Sequence, residues 1–199
     1  MNSPDARAAL IVVDVQRDFC ADGALAVPDG DAVVPVLAKW IAQFRSRDLP
    51  VVYTRDWHPP NHSSFQEQGG PWPTHCVADE RGAQFHPDLP VPEDAWIVSK
   101  ATDVEGDAYS GFDGTELETE LGARRIGQLY VGGLATDYCV KATVLDAVRA
   151  GFETSVILDA VRAVNVQPGD GAKAIEEMRA AGAHVVTEQG GGPCLNLPA

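Results

Sequence analysis

Apolar runs and stretches of helical period alternate along the chain, and their order predicts the fold. Residues 8–15, AALIVVDV, are apolar except for Asp14. A half-solvated strand would alternate, so an unbroken run predicts a central parallel strand covered on both faces. Over 31–47, Val33, Val34, Leu37, Ala38, Ile41, Ala42 and Phe44 recur at helical spacing, and Pro35 fits only a first turn, which starts the helix near Val34. A second strand over 49–53 ends at Thr54-Arg55-Asp56, and a third over 95–99 ends at Lys100. A helix over 116–121 follows, with Thr115 as its cap and Glu118 completing a capping box. The run 126–131 predicts a fourth strand that Gly132-Gly133 ends, before a helix over 138–150. A fifth strand over 154–158, a helix over 170–181 and a sixth strand over 184–187 complete the pattern, and the tail from Gly190 is too rich in Gly and Pro to be regular. Strand and helix alternate throughout. This predicts a three-layer α/β/α sandwich with a mostly parallel central sheet, Rossmann-like, as a single domain over 1–199.

One stretch breaks the alternation. Residues 56–94 hold seven prolines and Gly69-Gly70 with no convincing helix or strand, far longer than the usual connector. Ordered loops of this length at strand ends usually build a site. Four of the five histidines, His58, His62, His75 and His86, lie in it.

Composition narrows the function classes. The 199 residues are 45% hydrophobic and 22% charged, globular proportions for one domain with a full core. A formal net charge of −14 argues against nucleic acid or an anionic membrane as partner, since both reward a basic surface. Four cysteines, Cys20, Cys76, Cys139 and Cys194, show no C-x-x-C pair, which argues against a disulfide scaffold or an all-cysteine zinc knot. No apolar stretch reaches membrane length and no leader pattern opens the chain, so a cytoplasmic location is expected.

Three chemistry-bearing side chains fall at predicted strand ends. Asp14 closes the first strand, Lys100 follows the third, and Cys139 sits at the start of the helix after the fourth. In a parallel sheet these ends share one edge. A helix N-terminus would favour the Cys139 thiolate, Asp14 can exchange its proton, and Lys100 would hold both anions and lower their pKa values. The plainer alternative is an Asp–Lys ion pair tying two strands beside an inert cysteine. Asp56 and His58, two apart, can face one ion if the chain is extended, with His75 closing the set and His62 either a fourth ligand or an orienting neighbour. Nitrogen and oxygen donors of this kind suit Zn²⁺, Fe²⁺ or Mn²⁺ over Ca²⁺. Phe19, Trp72 and Tyr109 either sandwich a flat ring or anchor their loops. Asp137 is expected to bond the loop or the neighbouring helix and to stay outside the chemistry.

The segments ALIVVDVQRDFCADGALAV, TRDWHPPNHSSF, GGPWPTHCV, GAQFHPDL, DAYSGFDGT and VGGLATDYCVKATVLDA, in this order, resemble the nicotinamidases of the isochorismatase-like hydrolases. The resemblance implies that nicotinamide, and with it pyrazinamide, is hydrolysed to nicotinate and ammonia through a thioester on Cys139, with Asp14 and Lys100 completing the triad. It implies one divalent metal ion on Asp56, His58 and His75, with His62 a ligand in some members only. It also implies Phe19, Trp72, Tyr109 and Leu134 around the ring, an oxyanion hole from the backbone N–H groups of Ala135 and Cys139, and a cis peptide at Leu134-Ala135. The implied partner is a small carboxamide, and the family includes both monomers and homo-oligomers. One departure stands out: the usual glycine after the lysine is Ala101, which takes a positive φ less freely. Competing readings are a relative acting on another small amide or N-carbamoyl compound, and a catalytically silent domain used for interaction.

Overall fold

The computed structural model describes residues 7–187. Six strands form one sheet: β1 Arg7–Val13, β2 Val51–Asp56, β3 Trp96–Lys100, β4 Ile126–Leu134, β5 Glu153–Arg162 and β6 His184–Val186. Their order is β3-β2-β1-β4-β5-β6, and every pairing is parallel. β1 is central, as its unbroken apolar run requires, and all but its first residue are buried. Alternate side chains part to opposite faces. Ala8, Leu10 and Val12 pack on the side of helix α1 (Val33–Arg45), and Ala9, Ile11 and Val13 on the side of α2 (Leu117–Ala123), α3 (Lys141–Arg149) and α4 (Asp170–Ala181). This is the expected α/β/α sandwich, with the sheet wholly parallel among the described residues.

Helix α1 forms because Val33, Val34, Leu37, Trp40, Ile41 and Phe44 make one buried face, and it admits Pro35 in its first turn. Helix α4 spans the residues its periodicity predicts. It stops where Gly182 turns left-handed (φ 110°) and the Ala183 N–H returns to Met178 O at 3.0 Å.

Several boundaries differ from expectation. β4 does not stop at Gly132-Gly133 but continues through them to Leu134, paired with Val12 and Val13 of β1. Gly133 (φ 131°) serves close approach: a Cβ there would lie 2.0 Å from Val13 O. β5 runs on to Arg162 across an irregularity that sets Val161 and Arg162 beside Gly133 and Leu134. Thr115 accepts the Leu117 N–H at 3.3 Å, but the helix begins one residue later than predicted with Glu116 at its cap, so the capping box does not form. The tail from Gly190, with Cys194, lies outside the described residues.

The carboxyl ends of β1 and β4 adjoin where the winding reverses, since the chain proceeds from β1 outward through β2 and β3 and then from β4 through β5 and β6. Sheets of this type open a crevice at that point.

Candidate active site

Four strand ends deliver the polar groups of this crevice. Asp14 follows β1 in a left-handed conformation (φ 49°) that aspartate tolerates. Asp56 and Lys100 end β2 and β3 and are register partners. Cys139 lies beyond β4 in the wide turn Thr136–Val140, whose Val140 N–H reaches back to Ala135 O at 3.1 Å before α3 begins. All four are buried: Asp14 is 0% exposed, Lys100 1%, Asp56 5% and Cys139 6%.

Lys100 is the hub. Its Nζ stands 3.0 Å from Asp14 Oδ2, donates to Asp56 Oδ1 and to Ala108 O (3.0 Å), and lies 3.6 Å from Cys139 Sγ. Carboxylate oxygens of Asp14 and Asp56 and the Cys139 sulfur all fall within 4.8 Å of one another. The three side chains expected at one sheet edge therefore meet there. Lys100 serves two carboxylates, although its bond to Asp56 was not expected. Thr54 donates its hydroxyl to Asp14 Oδ1 at 2.7 Å and fixes that carboxylate.

Burial reverses one electrostatic expectation. Desolvation pushes the Asp14 carboxyl above its ordinary range despite Lys100, and pushes the Cys139 thiol well up despite the same ammonium. The predicted lowering of both by Lys100 and a helix terminus does not hold, because a nearby cation cannot repay full removal from water. For Asp56 burial also acts upward, but Lys100 together with His58 overrides it and holds the carboxyl below its usual range. The two acids compensate Lys100 for its own desolvation and keep it charged. Burial thus favours the neutral thiol of Cys139, beside the Asp14 carboxyl.

Next to this cluster, Asp56, His58 and His75 bring one ligand atom each within 4.8 Å of one another. His58 Nδ1 contacts Ala101 O at 3.3 Å, and its buried Nε2 has no hydrogen-bond partner, standing 3.7 Å from Asp56 Oδ2, too far for a hydrogen bond. His75 is held by Nδ1 on Pro73 O at 2.7 Å, and burial lowers its pKa, which keeps the imidazole neutral and its Nε2 available. One anion and two imidazoles, one of them with an orphaned buried nitrogen, fit a divalent ion. His62 is not in this set. Its ring nitrogens engage Ser64 Oγ (2.7 Å) and Gly106 O (3.2 Å), and the ring lies against His58 at 4.3 Å between centroids.

Asp56, His58, His75 and Cys139 line one pocket together with the apolar walls Phe19, Trp72, Tyr109, Leu134 and Ala135, while Asp14 and Lys100 lie buried behind it. The Leu134-Ala135 peptide is cis, as the resemblance implied. Trp72 Nε1 donates to Tyr109 Oη at 3.1 Å, so these two walls form one unit. Tyr138 also lines the pocket and packs edge-on against Trp72, with ring centroids 5.3 Å apart. Sequence reading passed over it, though its place beside the cysteine was a signal. Gln16 was missed too: its amide donates to Asp56 O (2.8 Å) and Ala83 O (2.9 Å) and accepts the Asp56 N–H (2.8 Å), pinning the long loop to the end of β1. Asp137 has the structural place expected of it, accepting the Val164 and Asn165 N–H groups at 2.9 and 2.8 Å.

Ala101, in place of the usual glycine, does adopt positive φ (51°). The chain thus keeps the glycine-type backbone with a residue that resists it.

Known proteins resemble this chain in sequence and in fold. A family model described as Isochorismatase domain matches residues 8–190. The chain is similar to a nicotinamidase of Escherichia coli (strain K12), at 44% identity over 200 residues, which cover 90% of this chain and 94% of that protein. Among solved structures, a pyrazinamidase of Pyrococcus horikoshii in complex with zinc superposes with a TM-score of 0.87 at 48% identity, covering 91% of this chain and 99% of that one. The L. infantum protein PnC1 in complex with nicotinate superposes with a TM-score of 0.85 at 32% identity, covering 94% and 96% respectively.

Proposed function

The chain belongs to the isochorismatase family, and on that premise we propose that its single hydrolase domain converts nicotinamide, and pyrazinamide with it, to the carboxylate and ammonia. The observation that carries the reading is the meeting of an acid, an amine and a thiol around Lys100 Nζ, with the thiol lining the same pocket as a metal-type donor set.

A carboxamide resists hydrolysis because its nitrogen leaves poorly, so the site must make a strong nucleophile and later give the nitrogen a proton. Asp14 takes the Cys139 proton as sulfur attacks the carboxamide carbon. Its raised pKa suits this exchange, being closer to neutrality than an exposed aspartate. The backbone N–H groups of Ala135 and Cys139 face the oxygen that becomes anionic. Asp14 then hands its proton to the departing nitrogen, leaving a thioester on Cys139 and releasing ammonia. A water molecule, giving its proton to Asp14, adds to the thioester carbonyl; collapse frees the carboxylic acid and returns the proton to sulfur. Lys100 stays charged throughout and keeps the negative charge near Asp14 and the sulfur tolerable.

Asp56, His58 and His75 hold one divalent ion, with zinc, iron(II) and manganese(II) all matching the donors. When bound, that ion supplies a Lewis-acid anchor for the ring nitrogen of the substrate. Phe19, Trp72, Tyr109 and Leu134 confine the flat ring between apolar walls. His62 steadies His58 by contact, with its own nitrogens engaged elsewhere.

The direct test is ammonia release from nicotinamide by the purified protein, with Cys139→Ala as control. Turnover by the native chain and none by the variant is expected. Equal turnover by both, or action on N-carbamoyl compounds in preference to nicotinamide, would remove this reading.

A further inference from the structure

Three donors that the amidase reading leaves unused come together beside the start of α1. Cys20 follows the short turn Arg17–Phe19, Asp31 sits in the turn Gly30–Ala32 that leads into α1, and His86 belongs to the long connection between β2 and β3. Their ligand atoms all lie within 4.8 Å of one another, with His86 Nε2 3.1 Å from Asp31 Oδ1. In a tetrahedral zinc centre with bonds of roughly 2.0–2.3 Å, ligand atoms stand about 3.3–3.7 Å apart. The nitrogen and oxygen are already near that spacing, and the sulfur needs a shift of roughly 1.5 Å at most.

The frame behind the donors is fixed. Asp31 Oδ2 accepts the Ala21 N–H at 2.8 Å, and the His86 backbone N–H donates to Val15 O at 2.9 Å. The front is open. Cys20 is buried at 2% exposure, but the His86 and Asp31 side chains are 14% and 44% exposed, and all three border a hollow separate from the catalytic pocket. A His–Asp pair alone would account for two of these groups, leaving the cysteine beside them without a purpose.

We propose that Cys20, Asp31 and His86 form a second divalent-metal site of zinc type, with a thiolate, a carboxylate and an imidazole as ligands and a fourth position open to the hollow. Thiolate with imidazole selects zinc or cobalt over magnesium or calcium. Arg17 and Arg81 line the same hollow and suit an anion at the fourth position. Binding releases the thiol proton to solvent. The imidazole proton moves from Nε2, where it faces Asp31, to Nδ1, which gives up its 3.2 Å contact with the Asp88 N–H. Such an ion would staple the connection between β1 and α1 to the loop that carries His58 and His75.

The test is a cobalt(II) titration of the chelator-stripped full chain, followed by optical absorption and competed with zinc. Two equivalents per chain are expected, one of them with a thiolate-to-cobalt charge-transfer band and tetrahedral d–d bands. Cys20→Ser should abolish that band while Cys139→Ser keeps it, and Asp31→Asn, a surface change, should weaken that equivalent at least tenfold without moving the other. No thiolate-to-cobalt band in the native chain, or a thiolate band that survives Cys20→Ser, would overturn the proposal. No readout uses turnover, so the result is independent of the amidase reading.

Discussion

Replacing Lys100 with methionine tests the electrostatic design most severely, because the stem length and packing are kept and only the ammonium is lost. The ammonium lies between two buried carboxylates, Asp14 and Asp56, and also serves Ala108 O and the Cys139 sulfur. Removing one partner of a buried ion pair costs about 3–5 kcal/mol, since the remaining charge is left unpaired. At roughly 2–4 °C per kcal/mol for a chain of this size, Lys100→Met should melt about 6–20 °C lower. Lys100 is the strongest influence holding the Asp14 pKa down against burial, so its loss drives that carboxyl toward the neutral form. A protonated Asp14 cannot accept the thiol proton, and kcat/KM should fall by about 10²–10⁴. Melting is to be followed by circular dichroism with chelator present, so that no ion at Asp56 substitutes for the lost cation, and turnover by ammonia release. Asp14→Asn combined with Lys100→Met removes both members of one pair and should recover part of the stability but none of the activity. Lys100→Met within about 1 kcal/mol of the native stability and keeping most of its turnover would refute the reasoning.

Other outcomes follow from single contacts. Ala101→Gly relieves a left-handed alanine (φ 51°) and should stabilise the fold by about 0.5–1 kcal/mol after the flexibility of glycine in the unfolded chain is offset, read from denaturant midpoints; destabilisation would contradict the strain argument. Thr54→Val deletes the 2.7 Å hydrogen bond that lowers the Asp14 pKa, so that pKa rises further and the acidic limb of the kcat/KM profile moves to higher pH. An unmoved limb would mean that Asp14 is not the group titrating there. His58→Ala should lose the one equivalent of metal held by the first donor set, read as the difference from the native chain in elemental analysis of unstripped protein, and chelation of the native chain should cost about tenfold or more in activity, restored by zinc, iron(II) or manganese(II).

Much of this was legible in the sequence because parallel sheets write their core as continuous apolar runs and place their chemistry at the run ends. Asp14, Lys100 and Cys139 could be aligned on that rule alone, and they meet in three dimensions. The register that makes Asp56 the partner of Lys100 was hidden, since strand ends are uncertain by a residue or two and Asp56 was read only as a metal ligand. Gly132-Gly133 looked like a stop signal; tertiary approach to Val13 makes it the middle of the pairing with β1. The thiol's direction of shift depends on total burial, which no local pattern reports. Gln16 was unreadable for a similar reason, because an amide that bonds backbone groups 40 and 67 residues away leaves no periodic trace.

The central claim is that sulfur from Cys139 carries the acyl group between two half-reactions. Hydroxylamine partitioning tests it most directly: the native chain is supplied with nicotinamide, or with an ester of nicotinate, and the ratio of hydroxamate to nicotinate is measured for each. A common thioester gives one ratio whatever the leaving group, and Cys139→Ala gives neither product. Ratios that change with the leaving group, or nicotinate formed by Cys139→Ala, would contradict the account.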